Sequence, residues 1–202
     1  MTPMHPSVYP TPSWTDADWE ALWAPYPEEI YREVLSALEP QDIVLEIGAG
    51  DLRLAVQIAA KVRHVYALEI QSFLIETALS NGQSLPPRLS LIQADARTYP
   101  FPAGITTAIL LMRHCTHFRL YADKLKQVGC QKLITNARWR AGIELLDLRP
   151  PRQKFAQISL GWYACWCGNT GFKPGPVENL TEEIFNTTYE VACCPDCSNL
   201  SL

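Results

Sequence analysis

From residue 43 onward the chain alternates short apolar runs with amphipathic stretches, and that alternation limits the possible folds more than any other feature. The run "IVLEIG" is apolar throughout except for Glu46, as a strand buried on both faces should be. "LRLAVQIAAKV" follows with apolar residues at helical spacing: Leu52, Leu54, Val56, Ile58, Ala59 and Val62. "HVYALEI" reads as the next strand and "SFLIETALSNG" as the next helix, stopped at Asn81-Gly82. "LSLIQAD", "TTAILLM", a helix in "RLYADKLKQVG" and a strand in "QKLITNAR" complete the series. Five strands joined by crossovers imply parallel pairing with helices on both faces, an α/β doubly wound sheet.

The flanks read differently. "MTPMHPSVYPTPSW" is a polar, proline-rich arm without the apolar core of a signal peptide. Ser13 or Thr15 then offers a helix cap, and Glu28, Glu29, Tyr31, Val34, Leu35 and Leu38 support a helix that stops before Pro40. Trp14, Trp19, Trp23, Tyr26 and Tyr31 make residues 1–40 an arm with an aromatic lid, either packed on the domain or lending rings to a pocket. Residues 41–150 are the α/β domain, and residues 151–202, beginning near "RPPRQ", are a cysteine-rich appendage. A length of 202 residues suits that division, and 48% hydrophobic residues are ample for a core. A net charge of -4 lacks the basic footprint of a nucleic-acid binder. The longest apolar runs fall far short of the ~20 residues of a membrane helix. Cytoplasm is the expected compartment, where seven cysteines point to metal or free thiols before disulfides. The Asn-x-Thr matches at Asn179 and Asn186 are therefore read as chance.

In an open parallel sheet, ligands bind beyond the carboxyl ends of the strands. Here the first strand ends in Glu46-Ile47-Gly48-Ala49-Gly50-Asp51, the second in Glu69-Ile70, the third in Asp95-Ala96 and the fourth in Met112-Arg113-His114. That constellation resembles the class I S-adenosylmethionine-dependent methyltransferases, with their Rossmann-like sheet, over roughly residues 25–140. The resemblance implies that the turn Glu46, Gly48, Ala49 and Gly50 lies against the cofactor's amino acid and sugar. It implies that Glu69 accepts from the ribose hydroxyls, with Ile70 beside it, and that Asp95 accepts from the adenine amino group, with Ala96 packing nearby. Arg113 completes the expected cofactor-binding set. The step from Gly50 to Glu69 is close to the ~20 residues expected between such a turn and its ribose acid. Leu52 stands where a third glycine often sits, which argues against a dinucleotide more than against S-adenosylmethionine. A pyrophosphate needs the closest backbone approach and would be repelled by Glu46 and Asp51. A sulfonium tolerates both.

Methyl transfer depends chiefly on holding the acceptor in line, with acid–base groups added as the acceptor's pKa demands. Where amino-methylating nucleic-acid enzymes of the resembled family usually carry an Asn/Asp-Pro-Pro-Tyr-like motif, this chain has Arg113-His114-Cys115-Thr116. Base N-methylation is correspondingly disfavoured. His114 is the expected catalytic residue, as a base or a substrate-orienting group, while His117 reads as a turn residue before a helix. Arg113 either binds an acidic substrate or pairs with a carboxylate. Cys115 lacks the preceding proline of cytosine C5 methylation, so no covalent role is assigned to it.

The tail offers "GWYACWCGNTGFKPG" and "TYEVACCPDCSNL", each read as strand, tight turn, strand with cysteines at the turn. Cys165, Cys167, Cys194 and Cys197 are the expected ligands of a structural Zn2+ in a zinc-ribbon-like element, with Cys193 an alternative to Cys194. The expected function is S-adenosylmethionine-dependent methyl transfer to an unidentified acceptor. A small molecule or protein is favoured over nucleic acid, with no membrane partner. The alternative is a non-catalytic binding or assembly module of the same fold acting through its tail, which also offers a surface for homo-oligomerisation.

Overall fold

A computed structural model describes residue 15, residues 24–80 and residues 84–199. Trp14, Trp19 and Trp23, the segment that Ser13 or Thr15 would cap, and the Asn81-Gly82 helix stop lie outside the described residues. Helix α1 (Glu28–Ser36) follows Pro27 and carries Glu28 and Glu29 in its first turn, where the helix dipole favours acids. It buries Tyr31 and Val34. Strand β1 (Ile43–Ile47), helix α2 (Arg53–Lys61), β2 (His64–Glu69), α3 (Ser72–Ser80), β3 (Leu89–Gln93), β4 (Thr107–Leu110), α4 (Phe118–Gln127) and β5 (Lys132–Thr135) then alternate as the apolar pattern requires.

The sheet order is β3-β2-β1-β4-β5 followed by a sixth strand at the edge, with the first five strands parallel. Successive strand residues feed opposite faces. Leu45, Ile47, Leu68, Leu110 and Leu133 pack with Phe118, Ala122 and Leu125 of α4. Val44, Val65, Ala67, Ile109 and Ile134 pack with α1 and α2 through Tyr31, Val34, Leu54 and Ile58. Both faces are therefore dry, which is why the strands read as continuous apolar runs.

The sixth strand was not legible in the sequence. β6 (Glu144–Asp147) returns antiparallel beside β5. The connection over 136–143 is too short for a parallel crossover, which needs a dozen residues or more. Arg140 and Gly142, both at positive φ, turn the chain.

A second, three-stranded sheet follows. β7 (Gly161–Cys165) and β8 (Thr170–Lys173) form the expected hairpin around Cys165-Trp166-Cys167-Gly168. The second cysteine turn departs from expectation. β9 (Thr188–Val191) lies parallel to β7, reached through helix α5 (Glu182–Asn186), and Cys194 and Cys197 occupy a loop and a 3-10 turn rather than a hairpin. Thr181 caps α5, its Oγ1 accepting from the Ile184 N–H at 3.2 Å. Arg138, its side chain 1% exposed, joins the two sheets by donating to both Glu144 on β6 and Glu190 on β9. No helix among the described residues is long and apolar enough to cross a membrane.

Candidate functional site

A cleft of about 830 Å³ opens at the carboxyl ends of β1 to β4, within the usual size of a small-molecule or cofactor site. The turn after β1 is anchored by the Gly48 and Ala49 N–H groups, which both donate to the Leu68 carbonyl, at 2.8 and 3.0 Å. Gly48, Gly50 and Leu52 alternate along it at φ +76, +58 and +65. Leu52 therefore takes the left-handed conformation that the third glycine would supply, at a cost of about 1–2 kcal/mol. Its side chain, 2% exposed, is part of the core under α1. The loop keeps its shape without the glycine because burial offsets the strain. At Gly48 any Cβ would run into the Met112 methyl, so the chain passes close beneath β4 there.

Each predicted acid meets a different environment. Glu46 is buried, with one carboxylate oxygen, Oε2, lacking any hydrogen-bond partner. Burial first, then the negative Glu69 and Asp51, holds its pKa well above the ordinary carboxylate value. Glu69 is buried too, but its oxygens accept three backbone N–H groups: Gly50 at 2.8 Å, Ile70 at 2.9 Å and Gln71 at 2.8 Å. Gly50 thus serves the site through Glu69 and is not itself on the cleft wall. Asp95 lies in the loop after β3 and is gripped by Arg97, whose backbone N–H donates to it at 2.9 Å and whose guanidinium donates to both oxygens. Those bonds lower its pKa.

Ile70, 54% exposed, and Ala96 give the cleft apolar surface between these acids. Across from them the β4 end contributes Leu111, Met112, Arg113, His114, Thr116 and His117. His114 lies in the turn after β4 and faces the cleft. His117 immediately precedes α4 and its Nδ1 is 2.8 Å from Thr116 Oγ1. Among the described residues, Tyr26 and Tyr31 of the aromatic N-terminal segment reach the cleft. The Tyr26 hydroxyl donates to the Leu111 carbonyl at 3.3 Å, its N–H donates to the Tyr31 hydroxyl at 3.0 Å, and Arg113 stacks 5.1 Å from its ring. Arg113 thus lines the cleft with its guanidinium against Tyr26.

Sequence reasoning missed Arg53, Arg97 and Tyr121 on the cleft wall. A signal for the arginines was present. Asp51-Leu52-Arg53, Asp95-Ala96-Arg97 and Asp147-Leu148-Arg149 share one spacing. In each, the arginine folds back on the aspartate two residues before it. Tyr121 lies one turn beyond His117, which puts both on one side of α4.

The second cluster is made of sulfur. The Sγ atoms of Cys165, Cys167, Cys194 and Cys197 all lie within 4.8 Å of one another, with Cys165–Cys197 at 3.5 Å and Cys167–Cys194 and Cys194–Cys197 at 3.8 Å. A tetrahedron with metal–sulfur bonds of about 2.3 Å has edges of about 3.8 Å, so four thiolates here fit one Zn2+-sized ion. Cys193 is exposed, and the fourth sulfur of the group is that of Cys194. A hydrogen bond with Cys165 first, then bonds with the Asn169 backbone, Cys197 and Cys194, hold the Cys167 thiol below its ordinary pKa, while the bond with Cys167 and burial push Cys165 up.

Residues 44–129 match the methyltransferase domain family Methyltransf_25. A search of curated protein sequences gave no match. Among solved structures, the YcgJ protein of Bacillus subtilis is 19% identical with a TM-score of 0.47, over 54% of this chain and 50% of that one. A precorrin-8w decarboxylase of Methanobacterium thermoautotrophicum is 20% identical with a TM-score of 0.48, over 57% and 65%. A precorrin-6y C5,15-methyltransferase of Geobacter metallireducens is 13% identical with a TM-score of 0.46, over 53% and 61%. The chain spans half to two thirds of the length of these proteins. The family match begins in β1 and ends just after α4, so it falls on the strands and loops that build the cleft. Over residues 44–129 the chain is thus similar to a methyltransferase domain, carried on a mostly parallel, Rossmann-like sheet.

Proposed function

We propose that the cleft binds S-adenosylmethionine and that the chain transfers its methyl group to an acidic or neutral small molecule or to a protein side chain. The observation that carries this reading is Glu46. A buried carboxylate with an orphaned oxygen is unfavourable unless a cation or donor completes it. Glu46 lines the cleft together with Gly48, so an ammonium or sulfonium is the complementary ligand. Glu69 has three of a carboxylate's roughly four lone-pair sites engaged, which leaves acceptor capacity for one sugar hydroxyl. Asp95 and Ala96 offer the next contact along the wall, and Ile70 an apolar face for a planar ring.

Bound there, the cofactor supplies an electrophilic methyl group. The protein's own part is positioning, exclusion of water and proton removal. Tyr26, Tyr31, Leu111 and Met112 form a largely apolar wall that keeps water from the acceptor. His114 is assigned as the group that takes the acceptor's proton, and Arg113 as the one that orients an acidic acceptor. A net charge of -4 supports a small molecule or protein over nucleic acid. The four-cysteine cluster is proposed to hold a structural Zn2+, closed to chemistry because every ligand position is protein sulfur.

Calorimetric titration with S-adenosylmethionine and S-adenosylhomocysteine tests the cofactor assignment. Micromolar affinity for both is expected, and no detectable heat from well-folded protein would refute it. His114→Ala is then expected to lower turnover of an identified acceptor by about 10²–10⁴-fold with cofactor affinity retained.

A further inference from the structure

The cysteine cluster is tied to the cleft through one helix. Trp166 sits between two of the four thiols, in Cys165-Trp166-Cys167, and its indole Nε1–H donates to Asp123 Oδ1 on α4 at 2.7 Å. The next residues of the same knuckle continue the contact. A Cβ on Gly168 would lie 3.1 Å from Phe118 Cβ, at the first residue of α4. Lys126 of α4 and Arg152 of the linker lie over the Trp166 ring, at 5.4 and 4.6 Å from its centroid.

The far side of α4 meets the cleft. Lys124, adjacent to Asp123, donates to the carbonyls of Ala96, Arg97 and Tyr99, at 3.3 Å for Arg97 and 2.7 Å for Tyr99. These carbonyls belong to the Asp95 loop. His117 and Tyr121, just before and within the first turn of α4, line the cleft. Neighbouring residues of one helix therefore hold the cysteine knuckle on one side and the Asp95 loop on the other.

We propose that Trp166 is a positioning residue. Through Asp123 and Lys124 it fixes α4 against the Asp95 loop, so that metal occupancy of the four-cysteine cluster sets the geometry of the cofactor cleft. The cluster on this view is a clamp on the methyltransferase domain rather than a detached appendage. The inference rests on the cofactor reading above. Its physical basis is that a metal-free cluster loses the restraint that orients the Cys165–Cys167 turn, and the indole projects from the middle of that turn. Trp166 is the residue through which the loss reaches α4.

The test uses the full-length, zinc-loaded chain, titrated calorimetrically with S-adenosylhomocysteine before and after metal removal by a chelator. Hydrogen exchange is followed at residues 95–99 and 117–124 in the same samples. Metal removal is expected to weaken binding at least about fivefold, the lower end of ordinary coupling between sites, and to speed exchange in both segments. Trp166→Phe keeps all four thiols and the aromatic packing but loses the N–H. It should retain one zinc per chain yet shift affinity and exchange in the same direction. Asp123→Ala, at a half-exposed position, gives the same uncoupling should the tryptophan variant fold poorly. Unchanged affinity and exchange in the metal-free protein or in the variants would overturn the proposal. If the zinc-loaded wild type binds no S-adenosylhomocysteine, the cofactor reading fails, and the exchange data alone decide whether the clamp exists.

Discussion

Glu46→Gln should push stability and cofactor affinity in opposite directions. In the ligand-free protein the Glu46 carboxylate is buried among like charges with Oε2 unpartnered. A buried group left unmatched costs about 1–3 kcal/mol, so replacing the carboxylate by a neutral amide should stabilise the empty protein by roughly that amount. At about 2–4 °C per kcal/mol for a chain of this size, the gain is roughly 2–12 °C in Tm. The pH dependence follows from the raised pKa. Because the folded protein holds the Glu46 proton more tightly than the unfolded chain, this side chain's contribution is fully present below the unfolded value, about 4.3. It is lost as pH rises through the folded value. The variant's advantage should therefore be small at pH 4 and full at alkaline pH. Affinity for S-adenosylmethionine should fall by about 1.5–3 kcal/mol, the value of a hydrogen bond to a charged group, or roughly 10- to 150-fold in Kd. Calorimetric scans from pH 4 to 9, with and without cofactor, read both effects. A variant no more stable at pH 9 than the wild type, with unchanged Kd, would refute the assignment of Glu46 as the cation-binding acid.

Leu52→Gly relieves the left-handed strain but removes a buried side chain. It should destabilise the protein by about 1–3 kcal/mol net, measured by urea unfolding, with cofactor affinity changed less than about threefold. Glu69→Ala strips the partner from three turn N–H groups. It should both weaken S-adenosylmethionine binding by about 1.5–3 kcal/mol and lower Tm, whereas a loss of affinity at constant Tm would limit Glu69 to the ligand. Arg138→Met leaves Glu144 and Glu190 without their shared cation. A loss of about 3–5 kcal/mol is expected in unfolding experiments, and a variant as stable as the wild type would show that the bridge does not hold the sheets together. Cys194→Ser should reduce zinc content measured by atomic absorption while Cys193→Ser leaves it intact, and the reverse result would reassign the ligand set.

Strands β1 to β5, the helices between them and the carboxyl-end acids were legible in the sequence. Apolar periodicity is local and a dry two-faced sheet writes it plainly, as in the continuous run through Val44, Leu45 and Ile47. It also placed Glu46, Glu69, Asp95 and His114 at one end of the sheet, because parallel strands bring their carboxyl ends together whatever their order. The four-residue β6 escaped notice because Leu145 is exposed and Glu144 and Asp147 bracket it, so its strand character lies in its pairing with β5. What each acid is free to do depends on its neighbours in space. Glu69 spends its oxygens on its own turn, Asp95 is held by Arg97, and Glu46 alone keeps a buried oxygen without a partner. Hydrogen-bond partners are assigned in space, where backbone N–H groups compete with any ligand. The same reason governs the tail. Spacing favoured Cys194 and left Cys193 as an alternative, and the chain path after β9 puts the Cys194 sulfur with the other three while Cys193 is exposed.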